Sequence, residues 1–405
     1  MPRGVGLLHF AIGGLTAAVI VLAGTAWAQT PKLTFRAAVM KLTPEPPLPI
    51  SRLDDHGEDY GFAGGQQATA DNATTGRFLG HAYETLEETA APADALATFD
   101  RLAGDGVRVF VALAEAETLL ALADHAAETV PDAIIFNAFA RDDALRTEAC
   151  RPNLFHTVPS RAMMTDSLAQ YLIWKQWDEW LIVSGEHPGD RAMAAAMERS
   201  ATKFGAEVVE TRIFEDAEGM RTSDSGHVLV KRQIPTFMQD TPDHDIVLVA
   251  DENELFGAYL PYRTWIARPV AGDAGLRPRT WHPAHESWGA TQLQRRFERA
   301  QDRRMYDLDY QVWVALRVIG EAVTRTNSVD PGALADYLVS DAFEVAAFKG
   351  QALTFRPWNQ QLRQGVLLAD GRTVITVSPL DEFLHQRTGL DTLGFDEPES
   401  GCSLN

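Results

Sequence analysis

Short apolar runs alternate with amphipathic segments twice along this chain, and that alternation leaves few folds open. In the first round residues 35–40, 107–113 and 133–136 read as strands, with helices expected over 61–79 and 115–129. In the second, 154–158, 180–183, 206–210 and 245–249 read as strands, separated by helices over 160–177 and 190–204. Strands that are apolar throughout, rather than on alternate residues, are buried on both faces, which predicts parallel sheets clad in helices. Two such rounds predict an α/β chain of two doubly wound lobes, joined near residues 154–161. Ligands in sheets of this kind bind beyond the carboxyl ends of the strands, so two facing lobes make a cleft that closes about a hinge. Later segments read as helices over 291–303 and 308–324 and as strands over 351–355 and 372–377.

The first 28 residues have a different pattern. Arg3 precedes a long apolar run, and Ala26, Trp27 and Ala28 form a small-residue cleavage site before Gln29. This layout predicts a secretory signal peptide over 1–28 and a periplasmic mature chain. The run approaches spanning length, so a retained membrane anchor is the alternative. The mature chain is long enough for two domains. The expected division is lobe 1 over 29–157 with 285–350 returning to it, and lobe 2 over 158–284 with 351–405 completing it.

The formal charge of −20 leaves no basic footprint for phosphate contacts, which excludes a nucleic-acid partner. Only six lysines stand against thirty arginines, so a bound anion falls to guanidinium forks. Cys150 and Cys402 form an even pair, which in an exported chain suggests one disulfide; two buried free thiols are the alternative.

At CRPNLFHTVPS, residues 150–160, the chain resembles the type I periplasmic substrate-binding proteins of the leucine/isoleucine/valine class. The resemblance extends over the order of elements in the mature chain. It implies two Rossmann-like lobes with a hinge, a small-molecule ligand in the cleft, permease subunits of an ABC importer as partners, and no enzymatic activity. A narrower resemblance, to the subgroup found with pyrroloquinoline-quinone-dependent alcohol dehydrogenases, rests on residues 275–297, 349–371 and 390–402. It implies the quinone or a related metabolite as ligand, or a role as cofactor chaperone or sensor for a quinoprotein dehydrogenase. One departure stands out. Amino-acid binders of this class hold the ligand with Ser and Thr after the first-lobe strands; here Leu113-Ala114-Glu115-Ala116 and Asn137-Ala138-Phe139 occupy those positions. A simple aliphatic amino acid is therefore not the expected ligand.

No nucleophile elbow, phosphate loop or zinc-protease motif is present. His282-x-x-His285-Glu286 has the wrong order for a zinc site and reads as structural, and the acidic stretch 54–59 reads as a solvated loop. Candidate ligand contacts sit where the strands end: Tyr60 at the start of the first helix, Asn137, Glu186 and His187, and Asp251. Arg161 follows the crossover and suits either the hinge or an inter-lobe ion pair. Trp265 and Trp281 are candidates to stack on a flat ligand, with core packing the alternative for each.

Overall fold

A computed structural model describes residues 32–44, 56–215 and 226–404. The expected signal peptide, most of the proline-rich stretch over 43–49, and Asp54 and Asp55 of the acidic loop lie outside the described residues.

The first lobe is built in chain order from β1 (Leu33–Lys41), α1 (Phe62–Leu79), β2 (His81–Thr89), α2 (Ala95–Gly104), β3 (Val109–Leu113), α3 (Ala116–Thr129), β4 (Ile134–Asn137) and β5 (Leu154–His156). Its sheet is parallel throughout, in the order β2-β1-β3-β4-β5. The central strands β3 and β4 are buried at every residue, as their unbroken apolar runs require. Strand β2 escapes detection in the sequence because it pairs with β1 alone: at this edge, HAYETLEET keeps its glutamates half in water.

The second lobe comes next, with α4 (Arg161–Trp174), β6 (Glu179–Gly185), α5 (Pro188–Phe204), β7 (Glu207–Phe214), α6 (Gly226–Phe237), β8 (Ile246–Ala250) and β9 (Val270–Gly272). Its strands are again all parallel, ordered β7-β6-β8-β9. Between β8 and β9 lies a short 3-10 turn over Gly257–Tyr262, with Pro261 inside it.

After β10 (Arg277–Arg279) the chain returns to the first lobe with α7 (Ala290–Gln301), α8 (Asp307–Thr326), α9 (Pro331–Leu338), β11 (Val345–Ala346), β12 (Ala352–Phe355) and β13 (Leu362–Arg363). It then crosses back for β14 (Val366–Ala369) and β15 (Val374–Ser378). Trp281, Leu353, Phe355 and Leu362 share one core with Phe136 and Phe155, whereas Leu368 packs with Leu168 and Trp180 of the second lobe. The return to lobe 1 therefore runs from about Trp281 to Arg363, longer than the expected 285–350, because β12 and β13 spend their apolar residues on the first core.

Helices α1 and α8 lie against each other at Gly64, where an added Cβ would sit 1.9 Å from the Asp309 carbonyl oxygen. Only glycine permits that approach. Three segments connect the lobes, at 157–160, 280–281 and 364–365. A disulfide joins Cys150 to Cys402, with the Cα atoms 5.6 Å apart, and ties the tail to the first lobe.

Candidate ligand-binding cleft

Parallel strands deliver their carboxyl ends to one side of each sheet, and here the two sides meet across the three crossings. Lobe 1 contributes the residues after β3 and β4, lobe 2 those after β6, β8 and β9. The residues gathered there are mostly charged.

Arg161, at the start of α4, is the bridge. Its Nε and Nη2 donate to the two carboxylate oxygens of Glu252 at 2.9 and 2.7 Å, and its Nη1 lies 3.0 Å from Asp142 of the first lobe. Its side chain is 11% exposed, so this fork is held largely out of water. Of the two roles open to Arg161, the inter-lobe ion pair is the one it fills. Glu115, after β3, faces this group; burial raises its carboxyl, the Asp142 charge adds to the rise, and Arg161 opposes it.

A second cluster forms at the hinge. Asp307, the first residue of α8, accepts the backbone N–H of Thr280 (2.6 Å) and of Trp281 (3.0 Å) and the Thr280 hydroxyl (2.7 Å). Arg279 donates to its other oxygen at 2.8 Å. Burial works to raise the Asp307 carboxyl, but Arg279 and these hydrogen bonds hold it below its usual range. Tyr60 reaches the same place: its hydroxyl accepts the Leu308 N–H at 3.1 Å, and burial drives the phenol far above its usual value.

Between the clusters stands Arg141, in the loop after β4. Its carbonyl receives the Arg161 N–H at 2.9 Å. Its guanidinium acts on both Asp273 of lobe 2 and Asp307 at the hinge. Among the described residues, that guanidinium has no carboxylate at ion-pair distance, whereas Arg161 has two and Arg279 has one. Asp273 accepts the Asp251 N–H at 2.8 Å; burial, with the Glu252 charge behind it, pushes its carboxyl up to about 7.

Other expected contacts are spent on structure. Asn137 is fully buried: its oxygen accepts the N–H groups of Phe139 and Ala140, and its amide donates to the Ala140 carbonyl and meets His156 Nδ1. It closes the loop that carries Arg141. Asp251 accepts three backbone N–H groups, from Leu255, Phe256 and Gly257, at 2.6–2.9 Å, and burial lifts its carboxyl to about 6. Both form loops through these bonds, as short side chains bonding a few residues ahead commonly do.

Trp281 is 1% exposed, stacked on Tyr310 at 4.9 Å with its indole N–H on Gln294, so it belongs to the core. Trp265 is 66% exposed and lies five residues before β9, whose amino end is the end of the sheet away from the cleft. The two tryptophans do not come together as a stacking platform. Glu186 and His187 stay where topology put them, half-buried at the carboxyl end of β6, with His187 preceding α5. The His285 ring bonds the Phe348 carbonyl at 2.9 Å and His282 caps Ala284, both structural contacts. No group of three or more His, Cys, Asp or Glu suited to a metal occurs among the described residues.

Glu115, Arg141, Asp142, Glu252, Asp273, Arg279 and Asp307 were not picked out in the sequence. Glu115, Glu252 and Asp273 stand within two residues of a strand end, a signal that was available; Arg279 and Asp307 are recruited by the late return of the chain and carry none.

Residues 62–219 match the sequence model of a family described as periplasmic binding protein. No curated protein sequence matches the chain. Among solved structures, the leucine-, isoleucine-, valine-, threonine- and alanine-binding protein from Brucella ovis, in a closed conformation, is similar with a TM-score of 0.70 at 14% identity, covering 92% of this chain and 99% of that one. A branched-chain amino acid ABC transporter periplasmic ligand-binding protein from Burkholderia xenovorans gives 0.69 at 15% identity, covering 91% and 99%. An ABC transporter solute-binding protein from Rhodopseudomonas palustris, in complex with benzoate, gives 0.63 at 14%, covering 92% and 100%. The chain thus has the two-lobed fold of the type I periplasmic binding proteins, and residues 62–219 carry that family's sequence pattern.

Proposed function

We propose that this protein is a periplasmic solute-binding component of an ABC importer, and that its ligand is a small organic acid enclosed between the lobes. The observation that carries the acid is Arg141, which follows the loop closed by Asn137, accepts the Arg161 N–H on its carbonyl, and has a guanidinium left without an ion-pair partner among the described residues. A ligand carboxylate fits that fork in bidentate fashion and offsets the desolvation cost of enclosing it. Binding closes the lobes, and the closed form is what permease subunits read. The similar structure holding benzoate is consistent with an acid, and those named for amino acids share a carboxylate with it. Carboxylate recognition, not ring stacking, carries this reading, because Trp265 and Trp281 do not meet in the cleft.

The test is a calorimetric and thermal-shift panel of benzoate, hydroxybenzoates, propanoate, lactate, leucine and pyrroloquinoline quinone, with wild type and Arg141→Met. A true ligand at a hundredfold excess over its Kd stabilises the fold by about 2.7 kcal/mol. The variant is expected to lose this response and keep its unliganded melting temperature. An acid that binds both proteins equally, or wild type that binds no acid, refutes the proposal.

A further inference from the structure

Helix α8 holds a buried amide that bonds nothing among the described residues. Gln311 is 2% exposed, and among the described residues neither its Nε2 nor its Oε1 has a hydrogen-bond partner. Folded proteins leave few such groups, since each unpaired buried donor or acceptor costs about 1–3 kcal/mol. An amide with both ends idle marks a place where another molecule completes the bonding.

Its position says which place. At about 100° per residue, Gln311 lies about 40° round the helix from Asp307, between Asp307 and Leu308. Asp307 faces the hinge residues Thr280 and Trp281 and the side chain of Arg279. Leu308 faces Gly61 and, beside it, Leu113 at the carboxyl end of β3. The sector between them therefore looks onto the strand ends of lobe 1. Long side chains on a helix lean toward its amino end, here back over the turn that begins with Asp307. Gln311 thus sits one turn along α8 from Asp307, its side chain directed back toward the strand ends of lobe 1.

We infer that Gln311 is a ligand-binding residue, and that the ligand class is an acid carrying a second, uncharged hydrogen-bonding group. The carboxylate lies on Arg141, and a hydroxyl or carbonyl reaches the Gln311 amide, which offers both a donor and an acceptor. This inference rests on the proposed acid-binding function and deepens it. A site built around an idle amide discriminates against the analogue that leaves it idle.

The experiment compares wild type, Gln311→Leu and Gln311→Met by calorimetry against two probe sets: benzoate with 2-, 3- and 4-hydroxybenzoate, and propanoate with lactate and 3-hydroxypropanoate. Wild type is expected to prefer one hydroxylated acid over its plain parent by about 10–100-fold. Both variants lose that preference, keep the affinity for the plain acid, and melt higher than wild type without ligand, because an unpaired polar group has been removed. Three outcomes overturn the inference: wild type with no preference, variants that keep the preference, or variants that lose both acids in parallel, which marks a packing role. Wild type that binds no acid overturns the proposed function instead, and this inference with it.

Discussion

The disulfide between Cys150 and Cys402 closes a loop of 252 residues, more than half the chain. Its removal in a Cys150→Ser/Cys402→Ser double variant leaves the native contacts of the tail in place. Leu393 stays buried, the Arg199 guanidinium still lies 4.1 Å over the Phe395 ring, and the Ser400 hydroxyl still donates to the Arg146 carbonyl at 3.0 Å. The effect therefore acts through the unfolded chain, which regains the entropy of an open loop. For 252 residues the chain-entropy relation gives about 5.5 kcal/mol at 25 °C. Against an ordinary domain stability of about 5–15 kcal/mol, that is a third or more of the total. Urea titration monitored by tryptophan fluorescence is expected to show a lower midpoint and a steeper dependence on urea, since the uncrosslinked unfolded chain exposes more surface. A loss below about 1 kcal/mol refutes the reasoning and shows that the unfolded chain stays compact without its crosslink.

Two further outcomes are expected. Lys349 is 2% exposed, donates to Gln364 Oε1 at 2.8 Å and lies over the Tyr310 ring; burial pushes its amine down to about 7, with Asp307 opposing. Between that pH and 10.5 the unfolded chain holds more protons than the folded one, so this group makes stability rise with pH. Lys349→Met removes a gain of about 3 kcal/mol between about pH 6 and 9, read as the difference between the two proteins in urea unfolding; equal pH dependence sinks the claim. Gly64→Ala is expected to force α1 off the Asp309 carbonyl and cost about 3 kcal/mol, whereas Gly104→Ala, with nothing within 4 Å of the new methyl, is neutral or stabilising. Equal melting temperatures for the two variants contradict this.

The architecture was legible because its signal is local. Apolar runs without alternation mark strands covered on both faces wherever they occur, and β3, β4, β6 and β8 fall on such runs. The edge strand β2 and the short helices α2 and α9 were not, since a polar edge and an eight- or ten-residue helix leave little pattern. The cleft was legible only in outline. Strand ends could be located, but not which side chains remain available there.

Asn137 and Asp251 are consumed by backbone N–H groups two to six residues ahead, a use that local sequence hints at. Arg161 and Arg141 present the harder case. Both stand near the first crossing, and of the two only Arg161 is a candidate in the sequence. Only the fold brings Glu252, 91 residues away, against Arg161 and leaves Arg141 with no carboxylate at ion-pair distance among the described residues. Periodicity belongs to neighbours along the chain and could be read from it. The pairing of charges depends on which distant carboxylates the three crossings bring within reach, and that was decided by the tertiary structure alone.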